Sequence, residues 1–216
     1  MKLWNKEDNL DKKIEEFTVG NDRKYDMYLA KYDVIASIAH AKMLCKINIL
    51  TDEESIKIIN ALNNIFKNIE SENFNIENDF EDIHSKIESL LIDELGNIGK
   101  KIHTGRSRND QVLVATQLFL KNEINEIKKL TVKLFNTLID LAETNKKELL
   151  PGYTHLQVAM PSSFGLWFSS YAENLIDDIL YLKTAYEINN QNPLGSGAGY
   201  GSSFKIDRNF TTKELD

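Results

Sequence analysis

Residues 111–150 read "QVLVATQLFLKNEINEIKKLTVKLFNTLIDLAETNKKELL", a span with neither proline nor glycine. Within it Leu120, Ile124, Ile127, Thr131, Leu134, Leu138 and Leu141 recur at alternating steps of four and three, the seam of a coiled-coil-like helix. At about 1.5 Å per residue such a helix is a rod of roughly 55 Å. A compact chain of 216 residues cannot bury so long a seam on its own. The rod therefore predicts a helical bundle that further helices or subunits must complete.

Downstream, "PGYTHLQVAMP" (151–161) follows the rod with more residues than a tight helical hairpin needs, and it carries Thr154, His155 and Gln157. Pro161 is placed at the start of a second long helix, whose stripe is Phe164, Phe168, Tyr171, Leu175, Ile179, Leu182 and Tyr186 and which Pro193 closes. The glycine-rich "PLGSGAGYGSS" (193–203) comes next. It follows a helix instead of a strand and lacks the GxGxxG and GxxxxGK[ST] spacings, so it reads as a flexible or closely packed loop and not as a nucleotide fingerprint.

Upstream, Leu10, Ile14 and Phe17 give a first helical stripe ended by Gly20. Residues from about Asp22 to Ile47 are apolar on several sides and should form a core helix. "TDEE" (51–54) is a capping box that opens a helix with the stripe Ile58, Leu62, Ile65 and Ile69. After the polar loop "SENFNIEND" (71–79), Ile83, Ile87, Leu90 and Leu91 mark another helix ending at Gly96. No period-two strand pattern and no internal repeat appear. The expected fold is all-α: a helical N-terminal domain over residues 1–110, then the first long helices of a bundle over 111–216.

Composition narrows the function. Hydrophobic residues at 42% and charged residues at 27% are those of a globular protein. A net charge of -7 argues against a nucleic-acid partner, which would need a basic face. A single cysteine, Cys45, excludes an intramolecular disulfide framework, and the scattered histidines show no metal-ligand spacing. The start of the chain lacks the apolar core of a signal peptide, and no run approaches 18 unbroken apolar residues. A cytoplasmic protein without membrane contact is expected.

The densest polar stretch is "HTGRSRNDQ" (103–111), immediately before the rod. Capping accounts for part of it, with Asn109 or Asp110 at the helix start and Gly105 in a turn. Two arginines, a threonine and a serine ahead of the cap ask for more. Backbone amides and the positive end of a long helix favour an anion, and an arginine can hold a carboxylate bidentately. Of the remaining histidines, His40 in "SIAHAKML" reads as a satisfied core residue; His84 in "EDIH" reads as capping or solvated beside Asp82, with a role behind the site as the alternative.

Taken together, "HTGRSRNDQ", "PGYTHLQ", "SIAHAKML", "EDIH" and "NPLGSGAGYGSSF…IDR" resemble the argininosuccinate lyases of the aspartase/fumarase superfamily, from about Phe17 to Arg208. The resemblance implies a homotetramer on a central helical bundle, each active site built from three subunits. It implies reversible cleavage of L-argininosuccinate to L-arginine and fumarate in arginine biosynthesis, without metal or organic cofactor. By carry-over Asn109 and Thr154 bind substrate, Ser107, Arg108 and Gln157 stand beside them, and His155 is the acid–base or base-orienting group, a role suited to an imidazole.

The departures from that family are local. Trp4 is followed by Asn5, Lys6 and Glu7 where a Trp-Gly-Gly-Arg-Phe opening is common; Phe17-Thr18-Val19-Gly20 lacks the usual substrate-binding serine, and Val158 and Met160 stand where Arg and Gln are usual. Gly201-Ser202-Ser203 continues into Phe204-Lys205-Ile206 instead of the superfamily's catalytic-serine signature. The chain is thus expected to be an amino-terminal part, inactive alone. The rival readings are a non-catalytic scaffold or interaction protein and another lyase of the superfamily.

Overall fold

A computed structural model of the protein describes residues 12–71 and 74–215. Leu10 of the first stripe and the Trp4–Glu7 departure lie outside the described residues. The chain forms α1 (Lys12–Val19), α2 (Asp22–Lys46), α3 (Asp52–Glu70), α4 (Ile83–Leu95), the short α5 (Asn97–Lys100), a 3-10 turn (Lys101–His103), α6 (Arg108–Thr144), strands β1 (Leu149–Thr154) and β2 (Gln157–Ser163), α7 (Phe164–Asn189) and α8 (Arg208–Leu215). The architecture is helical, with one two-stranded antiparallel ribbon.

The elements start and stop for local reasons. Thr51 and Glu54 form the reciprocal capping box of α3. At α4 the cap is Asp82, whose carboxylate accepts the Ser85 N–H at 2.7 Å, and Gly96 ends the helix with φ 61°. Ser163 caps α7 through the Leu166 N–H at 3.1 Å.

By packing, the residues group as two compact units: those up to Phe119 together with those from Gln191, and Leu120–Asn190. This grouping differs from a boundary at residue 110. In the first unit, α2, α3 and α4 enclose a core of Val34, Met43, Leu44, Ile58, Leu62, Ile83, Ile87 and Leu91, closed by Ile102. As its all-round apolar pattern requires, α2 is buried on several sides. The loop before α4 is organised by a buried cation: the Lys86 ammonium contacts the Asn75 carbonyl and Glu77 and lies 4.7 Å from the centroid of the Phe74 ring.

In the second unit the rod runs as expected but ends at Thr144, short of Leu150. The linking segment 149–163 is a β-hairpin, not an open loop, and Pro161 sits in β2 instead of opening α7. Thr154 pairs with Gln157, so His155 and Leu156 form a two-residue turn. Both have positive φ, 47° and 62°, as the central residues of a type I′ turn require. That turn normally announces itself by Asn-Gly; His-Leu gives no such signal. Pro151 and Pro161 face each other across the ribbon, tolerated because each strand has an outer edge where no N–H is needed.

The apolar seam of α6 is largely exposed, with Leu120 at 41%, Ile127 at 48% and Leu134 at 50%. On α7 the aromatic run Phe164, Trp167 and Tyr171 is likewise exposed, its rings meeting edge to face at 6.3 Å for Phe164–Trp167 and 5.8 Å for Trp167–Tyr171. Among the described residues no helix is long and apolar enough to cross a membrane.

Candidate functional site

The first unit places residues 104–111 against one polar stripe of α2. Asp33, Ser37 and His40 recur at steps of four and three, so they share a face of that helix. The His40 Nε2 lies 3.1 Å from the Thr104 carbonyl. Arg106 donates from a terminal nitrogen to Ser37 Oγ at 2.9 Å. Gln111 donates from Nε2 to both Asp33 oxygens, at 2.9 and 3.2 Å. His84 completes this cluster, its Nδ1 3.1 Å from Asp33 Oδ1.

All of these groups are buried, so their charges must be answered locally. Burial pushes the Asp33 carboxyl up, yet His84, Arg106 and Gln111 together hold it below its usual range. Burial lowers the Arg106 guanidinium despite Asp33, Asp110 and Glu88 nearby. The His40 imidazole is pushed down to about 3 by burial and by Arg106. It stays neutral at physiological pH. For His84 this corrects the capping or solvated reading: Asp82 is the cap, and His84 is a buried partner of Asp33.

The cap of α6 is also corrected. Ser107, not Asn109 or Asp110, is the cap residue: its Oγ accepts the Asn109 N–H at 3.3 Å and its carbonyl accepts the Gln111 N–H. Asp110 answers from the third helical position, accepting the Ser107 N–H at 2.9 Å. Arg108 is committed sideways, 3.0 Å from Ser85 Oγ and 3.2 Å from Asp82 Oδ1. Asn109 is exposed. Ser107, Arg108 and Asn109 thus form one turn at the positive end of a 37-residue helix.

Thr154, His155 and Gln157 are brought together at the tip of the β1–β2 hairpin, all exposed. The two groups belong to different compact units. Sequence reading missed Asp33, Ser37, Ser85 and the anchoring role of Asp110. The signal was present in α2: an aspartate, Asp33, in the apolar part of the helix, with a serine and a histidine on the same face. Among the described residues no group of His, Cys, Asp and Glu could hold a metal ion.

Residues 5–216 match the lyase family. The chain is 52% identical over 214 residues to an argininosuccinate lyase of Bacteroides fragilis, covering 99% of this chain and 48% of that relative. It is 46% identical to an argininosuccinate lyase of Thermotoga neapolitana, covering 99% and 54%. Among solved structures, EDDS lyase in complex with formate aligns at a TM-score of 0.76 and 24% identity, over 91% of this chain and 39% of that one. The chain spans about half the length of the curated relatives it matches.

Proposed function

The chain belongs to the lyase family, and from that premise we propose that it contributes to reversible elimination of L-argininosuccinate to L-arginine and fumarate, in the cytoplasm and in arginine biosynthesis. The observation that carries the reading is the turn 107–109. The half-buried Arg108 and the exposed Asn109 follow the cap Ser107 at the amino end of a 37-residue helix, a turn suited to a carboxylate-rich substrate.

The chemistry asks for such a surface. A base takes the proton from the carbon beside a carboxylate, the C–H electrons form the new C=C bond, and the C–N electrons leave with the guanidinium nitrogen, which gains a proton. Negative charge gathers on the carboxylate as the proton leaves, so donors fixed beforehand lower the barrier. In this reading Ser107, Arg108, Asn109, Thr154 and Gln157 serve substrate binding, and His155 gives, takes or orients the proton. Arg108 acts within its pairing to Asp82 and Ser85. No cofactor is required by this chemistry, and a homotetramer would gather groups from several copies into each site.

The test is fumarate release from argininosuccinate by the chain alone and by a chimaera that continues it with the second half of the Bacteroides fragilis relative. Turnover by the chimaera that disappears with His155→Ala supports the proposal. Turnover of adenylosuccinate in place of argininosuccinate would move the assignment to another lyase. A folded, tetrameric chimaera that turns over neither would favour a non-catalytic scaffold.

A further inference from the structure

The first turn of α6 and the glycine loop share one buried carboxylate. Asp110 Oδ1 accepts the Ser107 N–H at 2.9 Å, while Oδ2 accepts the amides of Gly195 at 3.1 Å and Gly197 at 2.9 Å. The loop offers those amides because Gly195 and Gly197 have φ of 95° and 59°, which turns alternate N–H groups into one concavity. Such backbone concavities take anions. Here the anion is a side chain of the same protein, buried near Arg106.

The same segment reaches the other end of the turn. A Cβ on Gly195 would come within 3.0 Å of Ile206 Cγ2 and Arg208 Cγ, and a Cβ on Gly105 would come within 2.8 Å of Ile206 Cδ1. Residues 195–206 therefore bracket Ser107–Asn109 from both sides, by contact at Gly105 and by hydrogen bonds at Asp110. Asp110 does not face outward; it acts through Ser107.

We propose that Asp110 is a positioning residue that couples the glycine loop 194–201 to the turn 107–109, so that the loop's conformation sets how Ser107 and Asn109 are presented. The role of that turn toward substrate rests on the function proposed above, but the coupling itself is measurable without any ligand. Shifting the loop removes two charge-assisted bonds from Oδ2, and the carboxylate that caps Ser107 must then rotate or take up water.

The experiment is site-resolved amide hydrogen exchange on the 216-residue chain. Gly195→Ala disturbs the loop without changing a residue of the turn 107–109; exchange at the Ser107 amide is expected to rise about tenfold alongside that at Gly197. Asp110→Asn should raise exchange at Ser107, Gly195 and Gly197 together. In the double variant, Ser107 should exchange no faster than in Asp110→Asn alone, because the connection is already cut. Faster loop exchange with Ser107 unchanged, or additive effects at Ser107, would overturn the proposal. Gly197→Ala, whose Cβ would meet only the Gly201 carbonyl at 3.2 Å, replaces Gly195→Ala if that variant does not fold. Calorimetry with succinate supplies the functional readout: affinity should fall about tenfold in Gly195→Ala. Succinate binding to none of the proteins, wild type included, would count against the proposed function and leave the exchange result to decide the coupling.

Discussion

The two compact units handle their difficult side chains in opposite ways. The first buries charge: Asp33, His84, Arg106, Asp110 and Gln111 are all enclosed, and each meets a partner named by geometry. The second exposes grease: Leu134, Trp167, Tyr171, Leu180 and the hairpin-tip Leu156 stand outward. Buried polar groups must be matched within a few tenths of an ångström or they cost folding energy. Exposed apolar faces carry no such demand and specify no geometry until something covers them. The polar site of the first unit is therefore held in one arrangement by its own contacts, although Arg106 Nε and Gln111 Oε1 find no partner among the described residues, whereas the apolar faces of the second are specified as helices and no further.

That contrast is sharpened most by Asp33→Ala. It strands a buried arginine, a glutamine and a histidine at once, and a loss of about 3–5 kcal/mol is expected for breaking such a buried network from one side. Urea denaturation measures it; a loss below about 1 kcal/mol would mean that water already satisfies the cluster. Next in size is a matched pair of truncations. Leu62→Ala, in the enclosed core, should cost about 3 kcal/mol, whereas Leu134→Ala, 50% exposed, should change chain stability by less than about 0.5 kcal/mol. Equal effects would erase the distinction between the units.

A pH series separates the units by a third route. His40 has its pKa lowered to about 3 from 6.5, so below pH 6.5 the unfolded chain binds a proton that the folded chain refuses. Stability is present in full above 6.5 and is lost as pH falls toward 3. The contribution of this one group is roughly 2–3 kcal/mol between pH 6.5 and 4.5. The urea midpoint of the wild type should fall more steeply over that range than that of His40→Gln, which keeps a donor for the Thr104 carbonyl. The smallest effect is expected at the hairpin. Leu156→Gly relieves a φ of 62° and should stabilise the ribbon by about 1 kcal/mol. Exchange protection at the Thr154 and Gln157 amides, the pair that closes the turn, reads it; unchanged protection would mean that the turn stores no strain.

Much of this was legible beforehand, and unevenly. The helices of the first unit followed from stripes and caps, Thr51 and Gly96 among them, because capping and periodicity are set by residues three and four apart. The hairpin was hidden because its turn residues, His155 and Leu156, adopt positive φ without the glycine or asparagine that would advertise it. The end of α6 at Thr144 was hidden too, since neither proline nor glycine marks it; Asn145 closes the last turn, its backbone N–H and its side chain both donating to the Leu141 carbonyl, at 3.0 and 2.8 Å.

The sequence by itself determined the helical class, the long rod and the identity of the two polar segments, 103–111 and 154–157, because each is written in neighbouring residues. Only the tertiary structure decided which of those polar groups face outward and which hold the others in place. Arg106 and Gln111 lie in the same nine-letter stretch as Asn109, yet they turn inward to Ser37 and Asp33 while Asn109 stays exposed. Their partners are 69 and 78 residues away, and the two amides that receive Asp110 come 85 and 87 residues later. Partnership at that separation is a property of packing, because no local rule links a residue to a neighbour that folding alone brings near.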